Sequence, residues 1–118
     1  MIVNYLGPLI AGLDHPALHG YDISQFAPSC YLVEIGEDAG VDGPLIEGDV
    51  LVVDEARTAQ HDDLVIVDCD EEQRLYQAFR LGGSLLLIPP RDRSGSIRAR
   101  QNMLRGVVVS QARRYGIY

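Results

Sequence analysis

The chain has 118 residues, of which 47% are hydrophobic, and this length suffices for one compact domain. Its apolar residues occur in short runs, and none approaches the roughly 18 consecutive apolar residues that a membrane span requires. The formal net charge is -7, from 17 acidic and 10 basic residues, which argues against direct binding of nucleic acid because that binding depends on a basic surface. The composition therefore predicts one domain with neither a membrane nor a nucleic acid as its partner.

The first 28 residues predict an irregular N-terminal arm. Prolines and glycines interrupt this stretch, and its apolar residues follow neither the helical nor the strand period. At most one helical turn is expected, near residues 22–26. The first 13 residues are apolar but lack the basic segment of a secretory signal, so we expect a cytoplasmic protein.

Residues 29–118 predict an all-β domain. Short runs rich in β-branched residues alternate with turn residues, and the gaps between the runs leave little space for helices. The predicted strands are residues 30–35, 50–54, 64–69, 73–81, 84–88 and 103–112. The third run is apolar enough to predict burial on both faces, and Gly82 with Gly83 predicts a tight hairpin turn. Residues 91–102 are expected to form a loop with one short strand at most, and Gly106 a bulge in the last strand.

The arginines are unevenly distributed along the chain. Seven of them lie in the last quarter, whereas acidic residues dominate residues 34–72. We interpret this asymmetry as a solvated basic face, with dimerisation or contact with an acidic protein surface as the alternative.

The segment GPLIEGDVLVVDEARTAQHDDLVIVDCDEE, residues 43–72, resembles the central part of the LexA and UmuD family of self-cleaving serine-lysine peptidases. In that family an acidic-Gly-Asp turn, matched here by Glu47, Gly48 and Asp49, precedes two hydrophobic strands. Upstream, CYLVEIGEDAGVDG falls on a strand and the nucleophile loop of the family. Downstream, RLYQAFRLGGSLLLIPPR falls on its lysine strand, a turn and the next strand. The resemblance covers about residues 29–114, is closer to UmuD than to LexA, and implies a barrel-like β domain that forms homodimers.

The N-terminal stretch IAGLDHPA, residues 10–17, is similar to the self-cleavage site of the family. There a small residue and a glycine flank the bond that is cut, and Ala11 and Gly12 match them. The resemblance therefore implies that this bond is the position at which an active relative would cleave.

The residues that perform the cleavage are replaced in this chain. In the family, a serine hydroxyl attacks the peptide carbonyl, and a buried lysine removes its proton because burial disfavours the ammonium form. The serine position falls on Ala39, and the lysine position on Gln77, or on Ala78 if the register shifts by one. All ten basic residues are arginine, which stays protonated even when buried. We therefore expect a pseudo-peptidase without catalytic residues.

The former active-site cleft is expected to remain as a binding groove. Its predicted lining comprises Gly36, Glu37, Asp38, Ala39, Gly40, Val41, Tyr76, Gln77 and Ala78. The resemblance implies a non-catalytic regulator of the SOS response to DNA damage and of translesion synthesis. Its implied partners are a second copy, an active UmuD-like protein, a translesion polymerase or a RecA filament, and an active relative could cut the Ala11–Gly12 bond in trans.

Two alternatives to this function remain open. The chain could be the dimerisation domain of a LexA-type or phage repressor that lacks its DNA-binding part, or a peptidase that uses Cys30 or Cys69 as its nucleophile. No cofactor is expected. No metal is expected either, because the His, Asp and Cys residues between residues 61 and 70 match a turn and a strand end rather than a ligand set.

Overall fold

The computed structural model of the protein describes residues 1–9, 26–41, 43–90 and 95–113. These residues form eight β-strands and contain no α-helix. The strands are β1 (Ile2–Pro8), β2 (Cys30–Ile35), β3 (Val50–Asp54), β4 (Leu64–Cys69), β5 (Glu72–Leu81), β6 (Ser84–Ile88), β7 (Ile97–Arg98) and β8 (Leu104–Ala112). Short 3-10 turns span Glu37–Ala39 and Gln101–Met103. Within the described ranges, no helix has the length and apolar composition needed to cross a membrane.

Six of the strands close into an antiparallel barrel. Their order is β1-β2-β3-β8-β4-β5, and the barrel closes because β1 pairs with β2 along one edge and with β5 along the other. The second half of β5 continues beyond this closure and pairs with β6, which in turn pairs with the short β7. The all-β, barrel-like fold expected from the sequence is therefore confirmed.

Alternating side chains of the barrel strands fill the barrel interior. Val33 of β2, Leu51 of β3, Ile66 of β4 and Leu75 of β5 are fully buried and belong to one apolar cluster, the interior cluster. Each such side chain stabilises the fold by roughly 1.5–3 kcal/mol relative to its exposed state. The interior cluster is thus the main apolar core that these four strands share.

A first outer cluster covers the outside of β2 and β3. Leu32 and Val52 are buried there, and Leu9 and Phe26 pack against the same cluster. The chain on either side of residues 10–25 therefore contacts the same outer face of the barrel.

A second outer cluster lies outside β4 and β5. It contains Val65 and Val67 of β4 with Tyr76 and Leu87, so that β6 covers this side of the barrel. Because Ile66 faces the interior cluster, β4 is buried on both faces. This confirms the interpretation of its continuous apolar run.

The expectation of an irregular arm is wrong for residues 2–8, which form β1. A register shift interrupts the β1–β2 ladder between Tyr5 and Gly7, and Gly7 has a φ of 136°. Such a bulge breaks the two-residue period that identifies a strand in a sequence. The pairing that holds β1 in place is with distant strands, which no local pattern reveals. The rest of the predicted arm, from residue 10 to residue 25, lies outside the described residues.

The strands predicted after residue 29 are confirmed as β2 to β6 and β8, each within one residue of the expected bounds. The Gly82–Gly83 pair forms the tight turn between β5 and β6, and Leu81 pairs with Ser84 across it. The short strand allowed between residues 91 and 102 is β7, while residues 91–94 lie outside the described part of the chain.

The predicted bulge in β8 is also confirmed. Ile66 pairs with Gly106 and Val67 pairs with Leu104, so Arg105 is the extra residue on β8. Gly106 has a φ of 138°, and its backbone approaches β3 so closely that a Cβ atom would lie 2.7 Å from a methyl carbon of Val53. Only glycine fits this position without strain.

Candidate functional site

Hydrogen bonds hold the loop of residues 36–41 against the start of β1. The backbone N–H of Ile2 donates to both carboxylate oxygens of Asp38, at 3.2 and 3.1 Å. The N–H of Gly36 donates to the carbonyl oxygen of Ile2 at 2.9 Å. The 3-10 turn over Glu37–Ala39 then brings Ala39 to the interior cluster. Contacts with β1 thus determine where this loop, the Ala39 loop, lies.

Ala39 is buried at the end of the barrel. Its exposed fraction is 1%, and it belongs to the interior cluster together with Leu45 and Leu75. The side chain is a methyl group, which has no lone pair to attack a carbonyl carbon and no proton to transfer. Ala39 therefore contributes to the packing of the barrel interior and cannot act as a nucleophile.

Gln77 lies on β5 at the same end of the barrel as Ala39. Both β2 and β5 run antiparallel to β1, so the end of β2 and the segment of β5 after Arg74 lie where β1 begins. Side chains alternate along a strand, which gives Gln77 the same face as Leu75 of the interior cluster. Its carboxamide is a hydrogen-bonding group that cannot accept a proton at neutral pH.

Tyr76 and Ala78 face away from this end of the interior. Both are buried in the second outer cluster, on the other side of β5 from Gln77. The structure therefore brings Ala39 and the Gln77 face together, but it does not bring Tyr76 or Ala78 to the same surface. Arg80 also lies on the opposite face from Gln77, as expected from the spacing of three residues.

The outer surface of the Ala39 loop is polar, with one large apolar side chain. Glu37 and Asp38 are exposed, and Val41 is 69% exposed. Gly40, which ends the 3-10 turn, has a positive φ of 72° that favours glycine. The outer surface of this loop therefore presents one exposed apolar side chain next to acidic groups.

Asp49 is the one charged residue that is buried in the described part of the chain, with an exposed fraction of 1%. The Arg113 guanidinium donates from Nε to Oδ1 and from Nη2 to Oδ2, each at 2.8 Å. Gln111 Nε2 donates to Oδ2 at 2.8 Å, and the N–H of Ile46 donates to Oδ2 at 3.1 Å. This network connects the turn before β3 with the end of β8.

The environment of Asp49 favours its charged form. Burial by itself raises the pKa of this carboxyl, but the hydrogen bonds from Arg113, Ile46 and Gln111 outweigh burial and hold the pKa below its usual value. The resemblance identified Asp49 only as a turn residue. Its cation lies 64 residues away along the chain, so no local signal could have revealed the pair.

Cys30 does not resemble an activated nucleophile. Burial, and to a smaller extent the nearby Asp54, raises the pKa of Cys30 and keeps its thiol protonated at neutral pH. Cys69 is half-buried and packs against the second outer cluster.

His61 lies in the turn before β4. Its Nδ1 accepts a hydrogen bond from the N–H of Arg80 at 3.0 Å, and its ring meets the Phe79 ring edge-on at 5.5 Å. Across the described ranges, no three His, Cys, Asp or Glu side chains are grouped so as to hold a metal ion. Ala11 and Gly12, the predicted cleavage site, lie outside the described residues.

No protein-family model matches this chain.

Proposed function

We propose that this chain is a catalytically inactive protein of the UmuD type that acts as a dimeric binding module in the response to DNA damage. Its order of strands and loops is the one that the resemblance implies: a strand, the Ala39 loop, two strands, the β5–β6 hairpin and a final strand. The observation that carries the proposal is that Ala39 and Gln77, which the resemblance matches to the two dyad positions, lie at one end of one barrel. Neither can perform the chemistry of the residue that it replaces.

The loss of the dyad changes what this end of the barrel can do. A serine-lysine pair needs both groups, and the loss of one is not compensated by what remains. A peptide that contacts the Ala39 loop would therefore stay intact. The function that this surface retains is recognition, through the exposed Val41 and the carboxylates beside it.

We expect that the purified protein does not cleave itself. After incubation with a RecA filament assembled on single-stranded DNA with ATP, its mass should be unchanged by mass spectrometry, because the chain has no lysine to remove the proton from a serine hydroxyl. An active UmuD-type protein in a separate, parallel reaction is the positive control and should be cut. A fragment that ends at Ala11 in the reaction without that relative would contradict the proposal.

A partner that uses the Ala39 loop should be sensitive to Val41. We expect Val41→Asp to weaken capture of a translesion polymerase or a RecA filament about tenfold in a pull-down, because a charge replaces an exposed apolar contact. Leu81→Asp is the matched control, since Leu81 is 63% exposed but lies at the tip of the β5–β6 hairpin. Equal binding by the two variants would show that the loop is not the contact surface.

A further inference from the structure

A second candidate site lies outside the barrel, in a cavity of about 330 Å³. The connection between β3 and β4, the β5–β6 hairpin and the segment from Ala99 to Val107 line it. The cavity shares no residue with the Ala39 loop or with the Gln77 face. It is therefore a surface separate from the one that the proposed function uses.

Three arginines from three separate elements line this arginine cavity. They are Arg57 of the β3–β4 connection, Arg80 of β5 and Arg100 after β7, and all three are exposed. None of them forms an ion pair with a described residue, whereas Arg74 and Arg105 each have a carboxylate partner. In a chain with a net charge of -7, three arginines around one cavity, against Glu55 in the same lining, give a local excess of positive charge among the described residues.

The floor of the arginine cavity is apolar. Ala59, Leu85, Ala99, Leu104 and Val107 line it, and all five contribute to the second outer cluster or pack against it. A ligand that satisfies both parts of the site needs an apolar group for the floor and anionic groups for the arginines. Guanidinium groups match carboxylates particularly well, because two parallel N–H donors meet two oxygens.

We propose that the arginine cavity binds a short acidic peptide segment of a partner protein, with an apolar side chain of that segment on the cavity floor. The volume lies at the lower limit of ligand pockets, so it suits one or two side chains rather than a large cofactor. A nucleic acid fits less well, because its affinity depends on many phosphate contacts along an extended basic surface, whereas here three arginines surround a small cavity in an acidic chain. Glu55 could accept a hydrogen bond from a backbone N–H of the peptide.

The test uses the full chain and a fluorescein-labelled hexapeptide of alternating aspartate and leucine, followed by fluorescence anisotropy at low salt. We expect saturable binding that weakens as salt is added, and an affinity about tenfold lower for the Arg80→Gln, Arg100→Gln double variant. Arg74→Gln is the matched control and should bind like the wild type, because Arg74 pairs with Glu72 and does not line the cavity. A hexapeptide with asparagine in place of aspartate should not bind.

Amide shifts in NMR spectra of the wild-type chain locate the peptide independently of any variant. Shifts confined to Ala59, Leu85, Ala99 and their neighbours would support the proposal. Shifts elsewhere, undiminished binding by the double variant, or equal binding of the asparagine peptide would overturn it. Tighter binding of a single-stranded oligonucleotide that is lost in the same double variant would also overturn it and assign the cavity to nucleic acid.

Discussion

Arg113→Ala should lower the free energy of unfolding by about 3 kcal/mol or more, because it leaves a buried carboxylate without its cation. Asp49 is 1% exposed, and two of its hydrogen bonds come from this one guanidinium. The bonds from Gln111 and Ile46 remain, which places the expected loss toward the lower end of the range for broken buried pairs. Urea unfolding at pH 7, followed by circular dichroism, measures the difference. Arg74→Ala is the control: its pair with Glu72 is exposed on both sides, so the loss should stay below about 1 kcal/mol.

The pH dependence separates loss of the ion pair from loss of packing. In the wild type the pKa of Asp49 is held below its usual value of 3.8, so the stability it contributes is complete above that pH and is lost as the pH falls through the native pKa. In Arg113→Ala, burial should raise the pKa of Asp49 instead. Protonation at low pH then removes the uncompensated buried charge that destabilises the variant. The stability difference between the two proteins should therefore shrink between pH 7 and about pH 3. A difference that stays constant over this range would contradict the ion-pair interpretation.

Gly106→Ala should destabilise the protein by about 3–5 kcal/mol, since steric overlap and backbone strain add at one position. The new Cβ would lie 2.7 Å from Val53 Cγ1, 3.0 Å from the Asp54 carbonyl oxygen and 3.1 Å from Glu55 Cα. Two of these three atoms belong to the backbone and cannot move aside as a flexible side chain would. The φ of 138° is itself disfavoured for alanine. Thermal and urea unfolding measure the effect.

The Gly83→Ala variant is the matched control for Gly106→Ala. Gly83 lies in the β5–β6 turn, and a Cβ atom there would meet nothing within 4 Å. Its stability should stay within roughly 1 kcal/mol of the wild type, because the loss of unfolded-state entropy offsets small local changes. Similar destabilisation by both alanine variants would mean that steric overlap with β3 is not the reason why alanine at position 106 destabilises the protein.

The strands could be predicted where the evidence for them is local. β2 to β6 and β8 are short apolar runs between turn residues, and such runs occupy the expected positions. β1 was missed, because its bulge breaks the alternation and its pairing with β5 joins residues about 70 positions apart, such as Ile2 and Arg74. The rule that side chains alternate along a strand could already have separated Tyr76 and Ala78 from Gln77, but the predicted groove grouped the three together.

By itself, the sequence determined which chemical groups this protein has. Because the chain contains no lysine, its own residues cannot form a serine-lysine dyad whatever the fold. Only the tertiary structure decided how the barrel closes, which cation accompanies the buried Asp49, and that Arg57, Arg80 and Arg100 surround one cavity. These features depend on contacts between residues far apart in the chain, and such contacts leave no trace in the local pattern of residues.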